Sequence, residues 1–377
     1  MGSAFETSGR WVLDSAQAGL SSLHFDAAAP PPVQLGPEEV LVRMHAASLN
    51  YRDLVIAKHT CIYTTLWANP PPSPSPATPN TTPGSDGSGV ILAAGPSVPS
   101  DLNLHPDARV VTHLAPHLAP HPETDDTLPG FDDILAGLGQ QTPGTLCRLG
   151  VFHYSALIAL PDSTTMSHEA AATLTCSGLT AWNALMGMRG RQVREGDWAL
   201  IQGTGGVSIA ALQIAAAAGA TVIATTSSDA KAERLRSLGA QHVLNYRSQA
   251  DWGAQAKALT PGGRGVDHVV DIGGASTLPQ SLEAIRRDGV ITVVGMIGDS
   301  TNNEIPPDAM SALYRICVYR GVLLGTRNMF KDMVQFFHDK KIEPAVDDVT
   351  FQLEDAIKAY ERLEKQQHFS KVVIKMV

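Results

Sequence analysis

Cysteine is scarce in this chain. The 377 residues hold four, Cys61, Cys147, Cys176 and Cys317, and no two are close in sequence. That excludes a disulfide framework and reads as reduced thiols in the cytosol. Positive charge is also short: 28 Lys and Arg against 37 Asp and Glu leave a net charge of −9. A broad phosphate-binding surface is therefore not expected, nor nucleic acid as a partner. Long apolar runs are missing. The longest, around 209–218, is too short to span a bilayer. The N-terminus carries Glu6 and Arg10 and lacks the apolar core of a signal peptide. No tandem repeat is evident. What remains is a globular composition, 44% hydrophobic, on a chain long enough for two cores. A soluble cytoplasmic protein with no membrane partner is expected.

The most informative stretch runs from Trp198 to Ser208. A short apolar run at 198–201 reads as a buried strand. Gly203, Gly205 and Gly206 make a turn with little room for side chains, and an Ala-rich helix follows at 207–218, stopped by Gly219. Strand, glycine turn and helix open a dinucleotide-binding unit. The glycines let the backbone approach a pyrophosphate, and the helix N-terminus holds its charge. Ser208 replaces the third glycine of the usual pattern, so the match is loose. Its context strengthens it. Further strands are expected at 221–225, 242–245, 267–271, 290–294 and 321–325. Helices are expected between them, at 229–238 with Ser228 as its cap and at 278–286. Such alternation means a doubly wound parallel sheet with helices on both faces, over residues 164–326.

The N-terminal third reads as β-rich, with short strands at 11–13, 40–44, 89–94 and 108–112 separated by Gly and Pro, which suggests a barrel-like domain. The Pro-rich segment 70–79 favours extended backbone; it is either an exposed loop or a flap over an active-site mouth. The stretch 113–145 carries His117, His121, Asp125, Asp126, Asp132 and Asp133 at irregular spacing and reads as solvated loop rather than as a metal site.

Four segments carry a resemblance. They are Ala47-Ser-Leu-Asn-Tyr-Arg-Asp53, Ser85-Asp-Gly-Ser-Gly89, Cys176-Ser-Gly-Leu-Thr-Ala-Trp182 and His368-Phe-Ser-Lys-Val-Val-Ile374. Together the chain resembles the medium-chain dehydrogenase/reductase superfamily, and within it the zinc-free quinone oxidoreductase and enoyl reductase branch. The resemblance implies a GroES-like barrel domain (1–163 and 327–377) with a Rossmann domain (164–326) inserted, and an active site in the cleft between them. It also bears on zinc. Zinc-dependent relatives place a Cys where this chain has Asn50, and a His-Glu pair where it has Ser85-Asp86; their third ligand falls at Cys176. One soft ligand does not hold a catalytic zinc, which takes three protein ligands, so no metal is expected. Cys176 is then a small buried residue or a substrate contact.

Without a Lewis acid, hydride addition to an activated C=C asks less of a site than carbonyl reduction, because a few hydrogen-bond donors hold the enolate oxygen. Asn50 is expected in the cofactor or substrate pocket, and Tyr63 or Tyr51 as proton donor. On the cofactor side, the window at the end of the second strand, 225–228, holds no acid to bind a ribose diol, and Asp229 follows just after it. Its hydroxyls, including Ser227, tolerate a 2′-phosphate, and Lys231 with Tyr246 resembles the pair that NADP-using relatives apply to it. NADPH is the expected cofactor. By resemblance, Thr180 faces the nicotinamide side and Gly205, Gly206 and Val207 meet the pyrophosphate. Gly295, Met296 and Ile297 line the nicotinamide end, and Phe369 and Lys371 close the pocket from the tail. The segment 321–325 matches an edge strand through which relatives dimerise, so a homodimer is expected. The leading expectation is an NADPH-dependent, zinc-independent reductase of an α,β-unsaturated carbonyl or quinone, with a small molecule as its substrate. A zinc-free carbonyl reductase or alcohol dehydrogenase, and a cofactor-binding protein without turnover, stay open.

Overall fold

A computed structural model describes residues 8–14, 19–32, 34–58, 77–116, 126–295 and 309–376. The chain divides into two compact units. One is made of Met1–Ser177 with Thr326–Val377, and the other of Gly178–Gly325. The second is thus inserted in the chain of the first.

The first unit opens with the antiparallel pair β1 (Arg10–Leu13) and β2 (Leu23–Asp26). Its sheet is built on β3 (Glu39–Leu49), where Val40, Val42 and Met44 alternate inward with period two, as a half-buried strand requires. β4 (Asp86–Ala94), β5 (Arg109–Thr112), β6 (Leu149–His153) and β7 (Leu157–Ala159) follow; β4 and β6 flank β3, both antiparallel to it. β4 approaches β3 closely at Gly89, where an added Cβ would stand 2.3 Å from the Arg43 carbonyl oxygen, so no larger residue fits.

The second unit holds β8 (Trp198–Ile201), β9 (Thr221–Thr226), β10 (Ala240–Asn245), β11 (Val266–Asp271), β12 (Ile285–Val293) and β13 (Val318–Gly321). All pairings are parallel, in the order β10-β9-β8-β11-β12-β13. Every residue of β11 is buried, as expected of a strand covered by helices on both faces. This is the expected doubly wound sheet. The chain then returns to the first unit with β14 (Thr350–Gln352) and β15 (Val372–Lys375), β15 lying antiparallel to β3.

Three local expectations need correction. The sixth parallel strand lies at Val318–Gly321, not at 321–325. Beyond Gly321 the carbonyls serve a helix instead of a ladder: Leu323 accepts from Thr180 Oγ1 at 3.3 Å, and Leu324 from Asn183 Nδ2. Ser228 does not cap a helix over 229–238. A 3-10 turn, Asp229–Lys231, comes first, Ser228 makes no side-chain cap bond, and the α-helix is Ala232–Ser237; the Asp229 carboxylate accepts from Asn245 Nδ2 at 2.9 Å. The helix expected over 278–286 stops at Ala284, and β12 starts at once. The stretch 113–145 is also less open than expected. His113, Leu114 and Ala115 are buried, and Phe131–Ala136 is helical.

Candidate active site

Each unit gathers its own set of polar groups. In the second unit they lie at the carboxyl ends of β8, β9 and β10. Gly203 has φ of +78°, which favours glycine, and its N–H donates to the Thr225 carbonyl at 3.1 Å. Ser208, in place of a third glycine, donates to the Gln202 carbonyl at 2.6 Å and so ties the helix back to the strand end. The helix Gly206–Ala217 begins here with Gly205 as its N-cap. A Cβ built on Gly205 would meet nothing within 4 Å, so the mouth of the turn is open. The first N–H groups of a helix lack intrahelical acceptors; Gly206 and Val207 belong to that first turn. The geometry fits a pyrophosphate.

Lys231 reaches the same turn. Its Nζ donates to Thr204 Oγ1 at 3.1 Å. Ser227 is partly buried beside Thr226, and Tyr246 is 42% exposed, its N–H donating to the Thr226 carbonyl at 3.0 Å. Lys231, Ser227 and Tyr246 are therefore gathered around the end of β9. Thr180 is buried, with its hydroxyl on Leu323. Gly295 follows β12 and packs against Ile272. Met296 and Ile297 lie outside the described residues. Asp271 escaped the sequence reading. Its buried carboxylate accepts from Gly274 N–H at 2.9 Å, Thr277 Oγ1 at 2.7 Å, Ser281 Oγ at 2.5 Å and Gln202 Nε2 at 3.2 Å. It joins the ends of β8 and β11 beneath the turn.

In the first unit three strand ends meet. β3 runs out at Leu49 opposite Val372 of β15, so Lys371 comes level with Asn50; Ser48 is opposite Asp86 at the start of β4. The Lys371 ammonium donates to Asn50 Oδ1 and, at 3.1 Å, to Asp86 Oδ2. Asn50 Oδ1 also accepts from Ser177 Oγ at 3.3 Å, and its Nδ2 donates to Ser85 Oγ at 3.4 Å. Asp86 accepts further from Ser85 Oγ at 2.9 Å, Ser48 Oγ at 3.3 Å and the Cys176 N–H at 3.3 Å. Lys371 is 3% exposed, Asp86 0% and Asn50 7%, so an ion pair sits inside the protein, hydrogen-bonded to these polar neighbours. The tail is tied on both sides of Ser370: Asp347 accepts from the Phe369 N–H at 3.0 Å and donates its own N–H to the Lys371 carbonyl at 3.0 Å. Phe369 itself is buried.

The neighbours of this hub are shifted in their acidity. Asp53, in the first turn of the helix Tyr51–Ala57, accepts from the Asn50 N–H at 2.7 Å. Burial, helped by repulsion from Asp86, raises it to about 6 against the pull of Arg52. Burial also pushes the Cys176 thiol up to about 12, with Asp86 adding to the effect. Arg52 turns away from the hub to the carbonyls of Leu138 and Ile134, at 3.0 and 3.1 Å. Tyr51 is 45% exposed. Tyr63 and residues 70–76 of the Pro-rich segment lie outside the described residues.

Comparison with known proteins agrees with this anatomy. Residues 36–162 match the family described as alcohol dehydrogenase GroES-like domain, and residues 206–339 the one described as zinc-binding dehydrogenase. A zinc-type alcohol dehydrogenase-like protein of Schizosaccharomyces pombe is 38% identical over 346 residues, 92% of this chain and 93% of that protein. A crotonyl-CoA reductase of Streptomyces collinus is 30% identical over 294 residues, 72% of this chain and 64% of that protein. A solved NAD-dependent alcohol dehydrogenase superposes with a TM-score of 0.79 at 30% identity, covering 98% of this chain and 100% of that one. Among the described residues no group of three His, Cys, Asp or Glu side chains could hold a metal ion, and Asn50 Oδ1 and Asp86 Oδ2 accept from the Lys371 ammonium.

Proposed function

The chain belongs to the medium-chain dehydrogenase/reductase superfamily, and we propose that within it this protein is an NADPH-dependent, zinc-independent reductase of an α,β-unsaturated carbonyl or quinone. The observation that supports the reading is the hub itself: hydrogen-bond donors and an ammonium are gathered there, groups that can take the part of a Lewis acid. Conjugate reduction places its developing charge on an oxygen away from the carbon that is reduced, which such donors suit. The family relationship to a crotonyl-CoA reductase is in keeping with this. The names of the alcohol dehydrogenase relatives favour a second reading, carbonyl reduction at the same hub.

NADPH fits the second unit. Gly205, Gly206 and Val207 hold the pyrophosphate, and Lys231, Ser227 and Tyr246 take the 2′-phosphate. Asp229, an acid just beyond the end of β9, accepts from Asn245 through one carboxylate oxygen. Thr180, Gly295, Met296 and Ile297 serve the nicotinamide end. When bound, the nicotinamide supplies the hydride. Asn50 orients the substrate and fixes the Lys371 ammonium. A proton then reaches the α-carbon from Tyr51, Tyr63 or water. A homodimer is supported by β13 at the sheet edge, flanked by the exposed Met310, Leu313, Tyr314 and Ile316. No described helix is long and apolar enough to cross a membrane.

The test is a stopped-flow comparison of NADPH and NADH oxidation with enones, quinones and aldehydes, with and without chelator, and with products identified by mass. The expected result is chelator-insensitive saturation of C=C with NADPH preferred. Reduction of aldehydes alone selects the second reading, chelator sensitivity refutes zinc independence, and binding without turnover refutes catalysis.

A further inference from the structure

We infer that Lys371 is the electrophile of this site, its ammonium donating a hydrogen bond to the substrate's carbonyl oxygen and holding the negative charge that forms there. The inference rests on the reductase reading above and deepens it.

An ammonium carries three N–H donors. Two are held by Asn50 Oδ1 and Asp86 Oδ2, which leaves one N–H able to donate to a substrate. A carbonyl oxygen is the acceptor that fits it. Cys176, whose N–H donates to the same Asp86 carboxylate, keeps part of its surface exposed beside the buried hub.

The surroundings preorganise the cation rather than neutralise it fully. Asp347 holds the backbone on either side of Ser370, which itself sits at φ of +61° with its hydroxyl on the Ala345 carbonyl at 2.6 Å. Asp86 is in turn shared among Ser48, Ser85 and Cys176. Part of its charge is therefore spent on those donors. The ammonium is aimed, and it need not move as charge develops.

In a conjugate reduction the Lys371 ammonium would donate a hydrogen bond to the carbonyl oxygen as the π pairs shift onto it. The bound nicotinamide would supply the hydride taken up at the β-carbon, and a tyrosine or water the proton taken up at the α-carbon, which together complete the two-electron reduction of the substrate.

The first measurement uses the whole protein with p-nitrophenol as an oxyanion probe, its ionisation followed by absorbance. A phenol bound at a fixed ammonium ionises at lower pH than in water; a fall of about one pH unit or more is expected, since nearby opposite charge shifts an acid by that much. No fall in the wild-type protein overturns the inference without reference to any variant. The second uses Lys371→Met combined with Asp86→Asn, so that no buried carboxylate is left unpaired, beside Lys371→Arg. Folding and NADPH binding are checked by circular dichroism and nicotinamide fluorescence. The double variant is expected to lose the probe's shift and about 100- to 1,000-fold in kcat with little change in KM, as when one donor of an oxyanion hole is removed. Lys371→Arg is expected to recover part of both. A double variant that retains kcat or the probe's shift overturns the proposal. Absence of wild-type turnover on every enone, quinone and aldehyde sinks the reductase reading instead, while the phenol titration still decides whether Lys371 holds an oxyanion.

Discussion

Asp53 gives the sharpest stability prediction. It is 3% exposed, and burial raises its pKa from the usual 3.8 to about 6. The folded protein thus binds this proton more tightly than the unfolded chain. The resulting stabilisation is complete below about pH 4 and is lost as pH rises through about 6. A difference of roughly two pH units corresponds to about 3 kcal/mol over the whole range. About 1 kcal/mol of it falls between pH 5 and pH 7, because the unfolded carboxyl is already ionised at pH 5 while the folded one is not. Asp53→Asn removes the titration and keeps an oxygen to accept from the Asn50 N–H. Urea unfolding followed by far-UV circular dichroism, with reversibility checked, is run on both proteins at pH 5, 6 and 7. The wild type is expected to lose about 1 kcal/mol relative to the variant across that interval. A gap that stays constant would refute the reasoning. It would mean that Arg52, 4.0 Å away, outweighs burial and keeps Asp53 ionised throughout.

Three further outcomes are expected. Gly205→Ala has room for its methyl and an ordinary φ of −81°, so unfolding stability should change by less than about 1 kcal/mol while NADPH affinity, read by fluorescence titration, falls at least about tenfold; unchanged affinity refutes the assigned pyrophosphate cradle. Lys231→Glu should lower the NADPH-to-NADH preference by about 10- to 100-fold, the worth of a hydrogen bond to a charged group; an unchanged ratio in steady-state kinetics would move the 2′-phosphate elsewhere. Arg327→Met, buried with its guanidinium on the carbonyls of Ser155 and Leu157, should cost about 2–4 kcal/mol in denaturant unfolding by leaving both carbonyls unpaired, and a loss under about 1 kcal/mol would show that they find other donors.

Much of the parallel sheet was legible because its information is local. Gly203 marks a positive φ, Gly219 and Gly239 mark helix ends, and the apolar runs of β8, β9 and β11 announce buried strands. The misplacements have local causes as well. The apolar string at 321–325 reads equally as strand or as the segment beyond one. Thr180 and Asn183, about 140 positions earlier in sequence, claim its carbonyls. Ser228 is a good cap by type, but its side chain makes no cap bond and a 3-10 turn precedes the α-helix. Asp271 was hidden because a carboxylate that ends a strand looks the same in sequence whether or not four donors surround it.

The sequence by itself determined the glycine turn and the helix behind it, the alternation of strands and helices, and the family to which both belong. The turn and each strand or helix rest on residues within a dozen positions of one another, where backbone propensity and periodicity decide, and the family rests on four such short segments taken together. Only the tertiary structure decided the hub. Asn50, Asp86 and Lys371 span 321 positions, and they meet because antiparallel registers align the ends of β3, β4 and β15. Sequence placed Lys371 with the cofactor residues by resemblance. Which of its possible partners the ammonium faces depends on where the other two strands end, and that is settled only when the sheet has formed.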